Sequence, residues 1–122
     1  MKVIETTKAP AAIGPYSQGF IVNGMAVISG QTPVVPGTKE FPEAIEAQAE
    51  QCCKNVGAIL EEAGSCFSKV FKTTCFLTDM SDFAAFNSVY EKYFISKPAR
   101  SCVAVKELPL GVKCEIEALA EA

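Results

Sequence analysis

The chain has a single arginine, Arg100, which stands at the start of an apolar run within PARSCVAV, residues 98–105. Ten lysines supply the remaining positive charge, and there is no histidine. A guanidinium is a planar fork that grips a carboxylate or phosphate through two parallel hydrogen bonds, whereas the lysine ammonium is a point charge. The choice of arginine therefore indicates a small anion bound in a defined geometry. A surface ion pair would account for the same residue, and that alternative stays open.

The absence of histidine restricts the acid–base chemistry, because no Ser-His-Asp or Cys-His nucleophile can be built from one chain. Proton transfer would fall to carboxylates, tyrosine, lysine or cysteine. If residues 108–111 form a tight loop, antiparallel pairing of the flanking strands places Cys102 opposite Glu117. Arg100, Cys102, Glu115 and Glu117 would then share one face of a sheet. Alternatively, the two glutamates are only the solvated side of an amphipathic strand.

The elements that must carry these side chains alternate between strands and helices. Asn23-Gly24 between two β-prone runs is a strong hairpin pattern, and apolar residues at steps of three and four predict two helices. The order ββ(β)αβαββ favours one α+β domain, residues 1–122, with a mixed sheet carrying both helices on one face. The predicted elements are strands at 2–6, 20–22, 25–29, 69–78, 100–106 and 112–120, and helices at 43–63 and from 79–82 onward.

Bulk composition excludes several classes of protein. A net charge of −3 and a pI near 5.0 argue against nucleic acid as a partner, since phosphate neutralisation needs a basic surface. No apolar run reaches the length of a membrane span, and the first residues lack a secretory signal, so a cytoplasmic location is expected. The 49% hydrophobic content suggests that some apolar surface is covered by another subunit. We expect the six cysteines to be reduced and mostly packed as small hydrophobic residues.

Four segments, in order, carry a resemblance that covers nearly the whole chain. They are APAAIGPYSQG, VISGQTPV, TCFLTDMSDFAAFNSVYEKYF and PARSCVAVKELPLGVKCEIEALA. Together they closely resemble the Rid (RidA/YjgF) family of reactive-intermediate deaminases. The resemblance implies a chorismate-mutase-like fold, assembled as a homotrimer with ligand clefts between subunits.

The resemblance also implies an activity: hydrolysis of 2-imino acids or their enamine tautomers to 2-keto acids and ammonia. Expected substrates are 2-aminoacrylate/2-iminopropanoate and 2-iminobutanoate, which PLP-dependent dehydratases release, and no metal or organic cofactor is expected. Arg100 would bind the substrate carboxylate, Glu115 would activate water, and Cys102 would line the cleft. The remaining implied pocket residues, some from a neighbouring subunit, are Tyr16, Ser29, Gly30 and Asn87.

One departure from the family and two rival functions remain. The family often has an aromatic residue before Pro-Ala-Arg, where this chain has Lys97, so the substrate preference stays open. The first rival is a non-catalytic trimer that binds or senses small 2-keto or amino acids with the same arginine. The second is endoribonuclease or translation-inhibitor activity, which the acidic pI and single arginine disfavour.

Overall fold

The computed structural model describes all residues, 1–122, and contains a six-stranded mixed sheet with two α-helices. The strands lie in the order β1-β2-β3-β6-β4-β5. Their bounds are β1 Lys2–Ile4, β2 Gly19–Val22, β3 Met25–Gln31, β4 Val70–Leu77, β5 Ala99–Ala104 and β6 Cys114–Glu121. The helices are α1 Ile45–Glu62 and α2 Phe83–Tyr93. The predicted element order and mixed α+β architecture are therefore confirmed.

The hairpin between β2 and β3 turns at Asn23-Gly24, as predicted. Both residues have positive φ, 50° and 74°, which is the backbone of a type I′ turn. Asparagine and glycine tolerate this left-handed conformation better than other residues. The turn pairs Val22 with Met25 and sets the register of the whole hairpin.

Both helices cover one face of the sheet and bury their apolar stripes there. The stripe predicted for α1 is buried along its full length: Ile45, Ala49, Cys52, Val56, Ile59 and Ala63. A second set from α2 and the residue after it joins the same core: Phe86, Tyr90 and Phe94. Asp79 accepts a hydrogen bond from the Ser81 backbone N–H and caps the turn that leads into α2.

The predicted pairing of the last two strands is wrong. β5 lies parallel to β4 at the edge of the sheet, whereas β6 is inserted between β3 and β4 and runs antiparallel to both. The segment β4-α2-β5 is a parallel crossover, because α2 carries the chain back to the end of the sheet at which β4 begins. β5 and β6 therefore share no hydrogen bonds, although only a short loop joins them.

This topology places the predicted site residues on two faces. Arg100 is paired with Thr73 and Cys102 with Cys75, so both point to the helix side. Glu115 is paired with Phe76 and lies beside Ile116, which is buried on the helix side. Because neighbouring residues of a strand alternate, Glu115 and Glu117 point to the other side, the open face.

The open face of the sheet carries apolar side chains that no element of this chain covers. One apolar row across four strands is Val3, Phe20, Val27 and Leu119, and Lys72 on β4 ends it. Val3 and Val27 expose 44% and 37% of their surface, and Val103 on β5 exposes 45%. These exposed apolar residues account for part of the high hydrophobic content of the chain.

The cysteines are free, and four of them are buried as predicted: Cys52, Cys53, Cys75 and Cys114. Cys102 is half-buried, whereas Cys66 is exposed beside the loop that follows α1, which the prediction of packed thiols missed. No helix of the structure combines the length and apolar character needed to cross a membrane.

Candidate functional site

Arg100 lies on the edge strand β5, and its guanidinium is held by neutral groups. Its Nη1 donates a hydrogen bond of 2.7 Å to Oδ1 of Asn87 on α2. The guanidinium carbon lies 4.8 Å from the ring centroid of Tyr90 and 5.5 Å from that of Phe83. Both salt bridges of the chain, Lys8–Glu61 and Lys54–Glu50, are elsewhere. The half-buried cation therefore keeps its charge available for an external anion.

Cys102 stands two residues along β5 from Arg100, on the same face. Burial raises the pKa of its thiol, and the nearby Arg100 charge opposes that shift. Its neighbour Cys75 on β4 is fully buried, and burial raises the pKa of that thiol to about 12. Both thiols are therefore protonated at neutral pH. A protonated thiol is a poor nucleophile, so the two cysteines serve as lining of the site. No group of three or more His, Cys, Asp or Glu is arranged to hold a metal ion.

Glu115 lies on the open face, two residues along β6 from Glu117, the residue opposite a β-bulge in β3. Between the pairs Ile28–Ala118 and Gln31–Ile116, β3 has two residues and β6 has one. The extra residue lets the carboxylate of Glu115 lie on the backbone of Gly30, where a Cβ atom would contact Oε2 and come within 2.9 Å of Cδ. Only glycine leaves room for this contact, and bulges commonly re-aim side chains beside functional sites.

The electrostatics of Glu115 favour proton exchange. Burial raises the pKa of its carboxyl above the ordinary glutamate value, and the negative charge of Glu117 raises it further. A carboxylate with a raised pKa is a better base than an ordinary glutamate, because its affinity for a proton is higher. The carboxyl is only half-buried, so water can reach it.

The same bulge anchors the loop that carries Tyr16. The hydroxyl of Ser29 donates to the carbonyl of Ser17 at 2.6 Å, and the backbone N–H of Ser29 donates to the carbonyl of Gln18 at 2.9 Å. Tyr16, one residue before this anchor, exposes 54% of its surface. Its side chain is therefore available next to the bulge.

The predicted residues form two groups rather than one. We call Arg100, Asn87 and Cys102 the arginine half-site, and Ser29, Gly30 and Glu115 with the Tyr16 loop the glutamate half-site. Within one chain they lie on opposite faces, separated by strand β4. Two strand spacings and three residue rises put the Cα atoms of Arg100 and Glu115 roughly 14 Å apart. One small substrate cannot reach both groups of the same chain.

The sequence of the chain matches the family described as Endoribonuclease L-PSP over residues 6–122. That family is the Rid, or YjgF, family that the four sequence segments resemble. The chain belongs to it. Among curated Rid relatives, the 2-iminobutanoate/2-iminopropanoate deaminase of Escherichia coli K12 is 50% identical, with 98% of this chain and 96% of that protein covered. A RutC family protein of Pasteurella multocida is 52% identical, with 98% and 96% covered.

Solved Rid structures have the same fold. The E. coli TdcF structure with bound serine superposes with a TM-score of 0.96 at 46% identity, and it covers 100% of this chain and 99% of the other. The YjgF gene product of E. coli gives a TM-score of 0.95 at 49% identity, with 99% and 98% covered. These comparisons establish the Rid fold of the chain.

Sequence reasoning missed the residues that support the arginine. Tyr90 and Phe83 contact the guanidinium, and Thr73 shares a hydrogen bond of 2.6 Å with the Tyr90 hydroxyl. The available pattern was the aromatic stripe of α2, which predicts a helix but does not say that an arginine lies against it. A stripe that faces an edge strand with an arginine on it can serve both purposes.

Proposed function

We propose that this Rid-family chain is a hydrolase that converts 2-imino acids, among them 2-iminopropanoate and 2-iminobutanoate, to 2-keto acids and ammonia. The observation that carries the proposal is the guanidinium of Arg100, whose contacts are an amide oxygen and two aromatic rings. Such a cation suits a carboxylate that arrives from solution. The deaminase of E. coli at 50% identity supports the reaction class.

In this mechanism Arg100 binds the substrate carboxylate with two parallel hydrogen bonds and fixes the adjacent C2 atom. A water molecule adds through its oxygen to C2 of the protonated imine, and Glu115 takes the proton that this water loses. Glu115 then gives a proton to the amine nitrogen of the tetrahedral carbinolamine. The C–N bond breaks, ammonia leaves, and the C2–O bond becomes the carbonyl as the hydroxyl proton passes to solvent. Glu115 is a carboxylate again at the end.

The complete site requires two copies of the chain, because the arginine and glutamate half-sites lie on opposite faces of one sheet. We propose that the arginine half-site of one subunit meets the glutamate half-site of the next. Such a head-to-tail interface repeats until the ring closes. We propose three subunits for that ring, as the family resemblance implies, with the uncovered apolar residues of the open face as part of the interface.

A coupled assay tests the activity. An amino-acid oxidase or a threonine dehydratase generates the imine in place, semicarbazide traps the imine that remains, and keto-acid release is followed. We expect the wild type to accelerate keto-acid release and Arg100→Ala to lose about a hundredfold or more in kcat/KM, since a charged hydrogen-bonded clamp is removed. Lys106→Ala is the matched control: it removes an exposed cation just beyond β5.

In this assay the control should keep wild-type activity. If the wild type does not accelerate release from any small or branched imine, the deaminase proposal is wrong. If Arg100→Ala is as fast as the wild type, the carboxylate clamp is wrong while the reaction class stands.

A second candidate function is a non-catalytic binder of small carboxylates, which the serine bound to TdcF favours. Glu115→Gln separates the two functions, because it keeps the shape of the side chain but cannot accept a proton. For a deaminase, Glu115→Gln should bind 2-oxobutanoate normally, as measured by calorimetry, and should lose turnover. A wild type that binds the keto acid and accelerates no imine would establish the binder.

Endoribonuclease activity, which the family description names, has less support. The net charge of −3 disfavours association with a phosphate backbone. RNA cleavage by repurified Arg100→Ala protein at physiological salt would revive this function.

A further inference from the structure

A guanidinium that meets a carboxylate in one geometry needs a rigid support, and the structure provides one beneath Arg100. We propose that Tyr90 is a positioning residue, whose ring fixes the place and plane of the Arg100 guanidinium before the substrate binds. This inference rests on the proposed function, because it deepens the role of the arginine half-site. It concerns the carboxylate clamp and leaves the chemistry at Glu115 unchanged.

The ring of Tyr90 is held from three sides. It stacks on Phe94 with centroids 4.4 Å apart and planes 18° from parallel, and on Phe86 at 5.8 Å and 28°. Its hydroxyl shares a hydrogen bond of 2.6 Å with the hydroxyl of Thr73, which is fully buried on β4. Tyr90 itself is only 8% exposed. The ring therefore presents a fixed surface to the neighbouring strand.

Contact with that surface leaves the arginine free to bind. The guanidinium carbon lies over the Tyr90 ring at 4.8 Å, and this contact between cation and ring does not need a guanidinium N–H as a hydrogen-bond donor. Hydrogen bonds to a carboxylate use its edge, where five N–H groups point outward. Asn87 accepts from Nη1 alone. Tyr90 thus contacts the cation through its ring, Asn87 takes one N–H of Nη1, and the remaining N–H groups stay available.

Tyr90 also avoids competing with the substrate for the cation. Burial raises the pKa of its hydroxyl to about 12, so the ring is uncharged at neutral pH. A carboxylate at this position would form a permanent ion pair with Arg100. An uncharged ring attracts the guanidinium through its quadrupole and leaves its charge unneutralised. The site combines a firm hold with an open binding edge.

The test compares Tyr90→Leu, Tyr90→Phe and the control Tyr93→Leu. Tyr93 is on the same helix, but its ring packs on Phe67 and its hydroxyl donates to Glu50, away from the arginine. We expect Tyr90→Leu to raise both the Kd for 2-oxobutanoate and the KM by about tenfold. The kcat should change less than KM, because Glu115 is untouched. Tyr90→Phe keeps the ring and should stay closer to the wild type than Tyr90→Leu, and Tyr93→Leu should match the wild type.

Because Arg100 is the only arginine, its Nε–H gives a single arginine cross-peak in a ¹⁵N spectrum and needs no assignment. In Tyr90→Leu this peak should move, since the ring current is gone, and should broaden as the side chain becomes mobile. In Tyr93→Leu it should stay in place. If Tyr90→Leu does not fold, Thr73→Val releases the Tyr90 hydroxyl and should broaden the same peak while raising the Kd.

An unchanged Kd and an unchanged Nε–H peak in Tyr90→Leu, or in Thr73→Val if only that variant folds, would overturn the role of Tyr90. So would a loss in Tyr90→Phe as large as that in Tyr90→Leu, because the hydroxyl and not the ring would then matter. Failure of the proposed function gives a different result: the wild type accelerates no imine, while the Nε–H comparison still reports on Tyr90.

Discussion

Glu115 combines partial burial with a second carboxylate two residues away on the same face of β6. Burial is the larger cause of its raised pKa, and Glu117 adds to the shift. The folded protein holds the Glu115 proton more tightly than the unfolded chain does. Glu115 therefore stabilises the folded state most at a pH below the ordinary glutamate pKa. This contribution is lost as the pH rises through the raised pKa of the folded protein. The same shift improves Glu115 as a base.

The proposed role of Glu115 as a base predicts a pH dependence. The kcat/KM for imine hydrolysis should rise with pH through the pKa of Glu115, as its carboxylate forms. In Glu117→Gln a repelling charge is removed, so the pKa of Glu115 falls and the rising limb of the profile moves to lower pH. Profiles of kcat/KM against pH for the two proteins check this shift.

The control for that shift is Glu121→Gln, which removes an exposed charge farther along the same strand. Its profile should coincide with that of the wild type. If the rising limb of the Glu117→Gln profile stays in place or moves to higher pH, Glu117 does not control the ionisation of Glu115.

At the scale of elements, the bulge in β3 is the device that brings the glutamate half-site together. The substitution Gly30→Ala tests this role of the bulge, because the new Cβ would occupy the position of the Glu115 carboxylate. The carboxylate is the flexible end of a side chain and can move aside. We expect little change in the melting temperature but a fall in kcat of about a hundredfold, since a displacement of about 1 Å at a reacting group has that effect.

Gly57→Ala is the matched control for the bulge variant. Its Cβ would come within 2.9 Å of the Phe67 ring, which packs on Tyr93 and Phe94 and not on the glutamate half-site. This substitution should alter the melting temperature and leave kcat as in the wild type. A Gly30→Ala protein with full activity would mean that the position of the Glu115 carboxylate is not critical.

How much of these elements the sequence predicts depends on the range of the interaction. The helices and the Asn23-Gly24 hairpin follow from local spacing and turn chemistry, and both are confirmed. The neighbour of β5 does not follow, because alternation along a strand says which residues share a face and not which strand lies beside it. The sequence therefore predicts Arg100 and Glu115 as candidate site residues but wrongly places them on one face. The contact of Tyr90 with the Arg100 guanidinium cannot be predicted for the same reason, since it depends on how α2 packs against an edge strand.

At the scale of the whole molecule, the two half-sites predict complementation between inactive subunits. Arg100→Ala and Glu115→Gln chains should each be inactive alone. Mixed by co-expression in equal amounts, they should recover about a quarter of wild-type activity, because each site needs an intact arginine from one chain and an intact glutamate from its neighbour. The recovered kcat, with the assembly mass from analytical ultracentrifugation, measures this.

Recovery near zero in a mixed assembly would place both residues in a site within one chain and would contradict the two-chain arrangement. The control is a mixture of Arg100→Ala with Arg100→Lys chains, in which no site regains an intact guanidinium. That mixture should show no gain over its separate components. The assembly mass decides the number of subunits independently of activity.

The position of β6 between β3 and β4 also governs how the polypeptide acquires its shape. The arginine half-site is built from β4, α2 and β5, which follow one another in the chain and need only short-range closure. The glutamate half-site needs positions 25–31 to find positions 116–121, the most distant partners in the sheet. Closure over such separations slows folding, because its entropy cost precedes the contacts that repay it. The order of the chain therefore favours early formation of the arginine half-site, and the glutamate half-site forms only when the central strand docks.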